Sequence, residues 1–194
     1  IDFNMINNPN KEFQLVNSTI RDCYSDCIVF RSMKFDFIHL QNCKIIQAGR
    51  NGITDNAYTS VIESTEFIDN GWRTSPKSGY HIEPDSSTEM GRKVMRDCII
   101  SNSAGADYKG HLNSNVYNID AIIVDNCIMN EFAYAMYCET ECYTNNIIVR
   151  NSQISRFTGG NGNNDLSLHV IRNIFIDNSK MHHVEFETTY NLTE

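Results

Sequence analysis

Val124-Asp125-Asn126-Cys127-Ile128-Met129 and its near copy Leu40-Gln41-Asn42-Cys43-Lys44-Ile45 decide the fold of this chain. Each runs apolar, any residue, Asn, Cys, spacer, apolar. Outward from these two, the phrase recurs as Leu15-Val16-Asn17-Ser18-Thr19-Ile20, Met95-Arg96-Asp97-Cys98-Ile99-Ile100, Val149-Arg150-Asn151-Ser152-Gln153-Ile154 and Ile176-Asp177-Asn178-Ser179-Lys180-Met181. A degenerate copy reads Ile62-Glu63-Ser64-Thr65-Glu66-Phe67. The Cys/Ser/Thr anchors stand at 18, 43, 65, 98, 127, 152 and 179, spaced by 25, 22, 33, 29, 25 and 27 residues. A helical repeat would hold its period more strictly and place apolar residues three and four apart. Here Ile, Val and Phe alternate over short runs, as in strands, and length that varies belongs in loops.

A physical reason for the phrase follows. One strand ends at the first apolar residue, and the chain turns at Asn or Asp, which tolerate left-handed backbone and bond their own neighbours. A second strand begins at the small Cys or Ser. Stacked at roughly 4.8 Å, the asparagines can form a ladder and the small residues an inner column. The pattern predicts an all-β, right-handed, single-stranded parallel β-helix of about seven coils with three short strands each, one domain over residues 1–194. An antiparallel sandwich has no reason to keep the same six-residue phrase.

Bulk properties agree. The 194 residues are 41% hydrophobic and 21% charged, with three prolines and ten glycines, as in one globular domain without linkers. A net charge of −8 argues against a nucleic-acid partner, because phosphates demand clustered Lys and Arg. No apolar run is long enough to span a membrane, and no signal peptide is visible. The sequence opens at Ile1 in a strand-like run, as expected of an excised or processed piece of a longer protein. Seven cysteines cannot all pair within one chain, and their placement suggests buried thiols from a reducing cytoplasm.

On these residues the chain resembles the right-handed parallel β-helix of the pectate-lyase superfamily, bacteriophage tailspikes included. The likeness covers roughly residues 13–188 and rests on the Asn-Cys/Ser turn and on a third short strand per coil, such as Asn51-Gly52-Ile53-Thr54. Gly79-Tyr80-His81-Ile82-Glu83-Pro84 is similar to a strand of several phage spike proteins. The resemblance implies a virion tail protein, made in the host cytoplasm and acting outside it. It also implies a homotrimer whose partner is a bacterial surface polysaccharide or related cell-wall polymer, bound along the third-strand sheet.

Third-strand candidates are 27–31, 52–55, 79–83, 106–109, 134–139, 165–169 and 183–187. Alternation turns Ile28, Phe30, Ile53, Tyr80, Ile82, Tyr108, Met136, Cys138, Leu166, Leu168, Val184 and Phe186 inward. It turns Val29, Arg31, Thr54, His81, Glu83, Asp107, Lys109, Tyr137, Glu139, Asp165, Ser167, His169, Glu185 and Glu187 outward. Glycoside hydrolysis needs two carboxyl groups, about 5 Å apart for retention or about 6.5–9.5 Å for inversion, and crowding raises the pKa of one of them. Glu83 and Asp107 are the expected catalytic pair, with Glu139 third. His81, Lys109, Asp165 and His169 would position substrate, and Tyr137 would stack on it. Solvated strand faces are also ordinarily polar, so these side chains need not be catalytic.

Trp72, the only tryptophan, lies in the insertion Asn70-Gly71-Trp72-Arg73-Thr74-Ser75-Pro76-Lys77. It is either a platform for a sugar ring or a pin holding its loop, and Arg73 and Lys77 could engage an anionic group. The pair Cys138 and Cys142 is a weak zinc signal, Cys138 reading as a core thiol, and His182-His183 reads as surface. No metal site is assigned and no cofactor is required, although Ca2+ on an acidic face is chemically reasonable; a lyase would lean on Lys109 or Arg31. The leading expectation is a tailspike-like depolymerase cutting a surface polysaccharide by acid/base hydrolysis. The alternatives are a non-catalytic receptor-binding domain for a host glycan and a structural shaft segment.

Overall fold

The computed structural model describes residues 12–30, 35–73, 77–82, 89–112, 118–136, 142–161 and 169–187. Among them every regular element is a β-strand, and every strand pairing is parallel. The chain is a parallel β-solenoid, as the repeat predicts. Its first sheet stacks seven strands in chain order: Glu12–Val16, Phe37–Gln41, Thr59–Glu63, Glu89–Arg96, Asn118–Asp125, Cys142–Arg150 and His169–Asp177.

The corner after each of these strands explains the phrase. Asn17, Asn42, Ser64, Asp97, Asn126, Asn151 and Asn178 all have φ between 44° and 54°, the left-handed region. The next residue then locks the corner with its side chain. Ser18, Thr65, Ser152 and Ser179 donate from their hydroxyls to the carbonyl two residues back, at 2.7–2.9 Å. Cys43, Cys98 and Cys127 do the same with a thiol, at 3.2–3.3 Å. The position therefore needs a small side chain with one donor, which Cys, Ser and Thr share. Asn42 donates to Asn17, Asn126 to Asp97 and Asn178 to Asn151, at 2.6–2.8 Å, which is the expected ladder. Cys23, Cys27, Cys43, Cys98 and Cys127 are free thiols.

Past the corner, register ties two columns together. Thr19, Lys44, Glu66, Ile99, Ile128, Gln153 and Lys180 stack at the start of the second strand. Ile28, Ile53, Tyr80, Tyr108, Phe132, Phe157 and Val184 stack in the third. Three rings of this column lie face to face inside the solenoid, Tyr108 on Phe132 at 4.5 Å and Phe132 on Phe157 at 4.8 Å.

Between the columns the coils differ. The two columns are nine residues apart in three early coils (19 to 28, 44 to 53, 99 to 108) and fourteen in the Trp72 coil (66 to 80). In the later coils they are four apart, as from Ile128 to Phe132. The early coils turn a second left-handed corner at Asp22, Gln47, Asp69 and Asn102, with φ of 54–57°. The later coils run straight through as the strands Ile128–Met136, Gln153–Asn161 and Lys180–Glu187.

This corrects the third-strand expectation in two later coils. The inward residue of the fifth coil's third strand is Phe132, within one long strand, rather than Met136 of a separate segment. In the sixth it is Phe157, and His169 instead opens a strand of the first sheet. Without the second corner no loop separates second strand from third, so the third begins five residues sooner.

Candidate functional site

The expected binding face, the outer side of the third strands, is corrected in the early coils. Inward parity holds, with Ile28, Ile53, Tyr80 and Tyr108 buried, but Val29, Thr54, His81 and Asp107 on the other side are buried as well, at 0–5% exposure. A polar network holds Thr54 and His81. Asp26 receives a two-point contact from Arg50, at 2.7 and 2.5 Å, and accepts from the Asn51 amide at 3.1 Å and the Thr54 hydroxyl at 2.7 Å. Asn51 extends the network, its Nδ2 lying 3.0 Å from both Thr54 Oγ1 and His81 Nδ1, while Ser78 donates to its Oδ1 at 2.9 Å. His81 is thus built into the wall and does not meet solvent.

Asp107 is also structural. The loop 102–107 draws the fourth coil away from the straight strand below it, leaving the N–H groups of Asn130 and Glu131 without a strand opposite. Oδ2 of Asp107 accepts from both, at 2.5 and 3.4 Å. Burial raises its pKa, and these hydrogen bonds oppose the rise without cancelling it. Its own carbonyl accepts from Gly79 and Tyr80, each at 3.0 Å. Lys109 pairs with His81 along the backbone, its side chain being outside the described set. Arg31, Glu83, Tyr137, Cys138, Glu139 and Asp165 lie outside the described residues.

Trp72 and Arg73 stand where the second corner forms a ledge. Asp22, Gln47 and Asp69 sit one above another in register at that corner. With Tyr24 and Trp72 they line an open cleft of about 420 Å³. Gly71, at φ 81°, turns the chain out of the stack, where a Cβ would strike Lys77. The Trp72 indole N–H donates to the Gln47 carbonyl at 3.2 Å, which pins its loop, while the residue remains 56% exposed. Arg73 lies over the Tyr24 ring, its guanidinium carbon 3.4 Å from the centroid, and donates to both the carbonyl and the hydroxyl of Tyr24. Arg73 thereby backs the Tyr24 ring with a cation.

The cleft thus offers one fixed indole face, a second ring backed by a cation, and carboxylate and amide acceptors. Such a lining can take a ligand that presents an apolar face bordered by hydrogen-bond donors. Reading the sequence for strands alone missed Asp22, Tyr24, Gln47 and Asp69. The signal present was an Asp, Gln or Asn five residues after each of the first four left-handed corners. Among the described residues no group of His, Cys, Asp and Glu is arranged to hold a metal ion. Comparison with protein-family models, with curated proteins and with solved structures finds no match to this chain.

Proposed function

We propose that this β-solenoid is a glycan-binding domain that recognises a bacterial surface polysaccharide through the Trp72 cleft, as the non-catalytic receptor-binding reading expects. The observation that carries this is the Trp72 ring, fixed at its N–H by Gln47 and open to solvent over Asp22, Tyr24 and Asp69. In this proposal the tailspike likeness supplies the setting: a trimeric phage tail protein meeting the polymer outside the cell.

The lone tryptophan makes the test direct. Titration with bacterial capsular and O-antigen oligosaccharides is expected to shift its fluorescence saturably. Trp72→Ala, which removes the fluorophore and is therefore followed by calorimetry, should weaken binding by about 5-fold or more, since a stacked ring contributes on the order of 1 kcal/mol. Saturable binding that Trp72→Ala leaves unchanged would remove the cleft from the reading.

A depolymerase is the second reading, favoured by two carboxylates on one cleft. Asp22 and Asp69 are separated by the intervening Gln47 coil, so their backbones are roughly 10 Å apart, near the upper end of the spacing used for inversion. Release of reducing ends that is lost in both Asp22→Asn and Asp69→Asn would make the domain an enzyme.

A further inference from the structure

Among the described residues the lumen is mostly apolar, and at one level it holds a buried ion pair. In the inward column Ile38, Ser60, Lys93, Ile122, Ile147, two neighbours break the apolar run. Both reach Asp55, at the end of the strand Asn51–Asp55, and Lys93 and Asp55 are 1% and 0% exposed. Lys93 Nζ lies 3.1 Å from Asp55 Oδ2 and donates to the Ala57 carbonyl at 2.5 Å and to Ser60 Oγ at 3.0 Å. Ser60 donates to Oδ2 at 2.5 Å, and the Tyr80 hydroxyl donates to the same oxygen. Oδ1 is held apart from all of these by the Ala57 N–H, at 2.8 Å.

A buried ion pair is a poor stabiliser, because desolvation offsets most of the attraction and apolar residues of like size serve as well. The division of labour between the two oxygens is what an acyl transfer needs. Oδ1 is polarised by a fixed backbone donor, like an oxyanion. Oδ2, facing two hydroxyls, is the oxygen equipped to leave. The amine is held beside the carboxyl with water excluded, which replaces a bimolecular encounter by a positioned one.

We propose that Lys93 and Asp55 condense in the folded protein to form an amide bond across the lumen. One proton passes from the ammonium to Oδ2 within the ion pair, leaving a neutral amine and a neutral carboxyl. Burial lowers the pKa of the Lys93 amine, which assists this exchange. Nζ attacks Cγ, and Oδ1 carries the developing charge against the Ala57 N–H. A second Nζ proton travels through the Ser60 hydroxyl to Oδ2, the Cγ–Oδ2 bond breaks, and one water leaves. No oxidant, reductant or other reactant is consumed. The product satisfies the same surroundings: its N–H faces the Ala57 carbonyl and its C=O keeps the Ala57 N–H.

Mass spectrometry of the purified full chain, denatured only for measurement, tests the bond without any substitution. The expected mass is one water below that of the sequence, and digestion should yield a branched peptide joining the segments that carry Lys93 and Asp55. Lys93→Met should restore its full sequence mass. Asp55→Asn should instead be one ammonia light, because the amide then leaves as ammonia. A folded wild-type chain at full mass overturns the proposal and leaves a plain ion pair. So does a lost water that maps to any other residue.

Discussion

At the scale of the residue, Asp107 shows how a carboxylate in the expected place can serve a different end. Its exposure is 1%, and its Oδ2 takes the N–H groups of Asn130 and Glu131. Asp107→Ala would leave both donors buried and unmatched, and is expected to destabilise by about 2 kcal/mol or more. Asp107→Asn keeps an accepting oxygen and removes a buried charge, so it should cost little or stabilise slightly. Chemical denaturation of the two variants checks this order. Saccharide binding at Trp72 should be equal in both, since Asp107 is absent from the cleft lining. Side-chain alternation pointed Asp107 and His81 away from the lumen correctly. It could not tell that a second polar layer, built by Asp26, Arg50 and Asn51, lies on that side.

At the scale of the element, the first corner was legible because three constraints fall on adjacent residues. Asn126 shows them together: φ of 51°, a ladder bond to Asp97 at 2.6 Å, and a following Cys127 that donates back to Asp125 at 3.3 Å. The second corner was not legible as a corner, because Asp22, Gln47, Asp69 and Asn102 have no lock of this kind in common and the later coils omit the turn. Two substitutions separate the constraints at Asn126. Asn126→Gly keeps the backbone free to turn and loses only the ladder bond, a cost of about 1 kcal/mol. Asn126→Ala loses the bond and also strains a left-handed residue, adding about 1 kcal/mol more. Thermal melts should rank wild type above Gly and Gly above Ala. Equal melting points for Gly and Ala would show that the left-handed turn contributes nothing to the choice of Asn.

At the scale of the whole molecule, a charge ladder runs beside the asparagines and ties the later coils to the earlier ones. Glu63, Arg96, Asp125, Arg150 and Asp177 end successive strands of the first sheet in register, with alternating sign. Arg96 reaches Glu63 at 2.7 Å and Asp125 at 3.8 Å, and Arg150 reaches Asp125 at 2.9 Å. Partial burial pushes the Asp125 carboxyl up. The hydrogen bonds from Arg150 and Asn151 outweigh that and hold it below the usual aspartate range. A carboxyl depressed in the folded state binds its proton less readily there than in the unfolded chain. Its contribution is therefore complete above the unfolded aspartate value, about 3.9, and is lost as pH falls through the folded one. Asp107, raised by burial, works in the opposite sense, because its folded form takes up a proton first. Wild type should lose stability steeply below about pH 4. Asp125→Asn, less stable at neutral pH, should lose less over the same interval, whereas Asp107→Asn should lose more, having given up a term that improves on acidification. In a solenoid each coil contacts only its neighbours, so loss of the Asp125 contacts loosens the join between the coils ending at Arg96 and Arg150. Denaturant unfolding from pH 7 to pH 3 therefore decides the matter through three slopes: parallel curves for all three proteins would show that neither carboxyl is linked to folding.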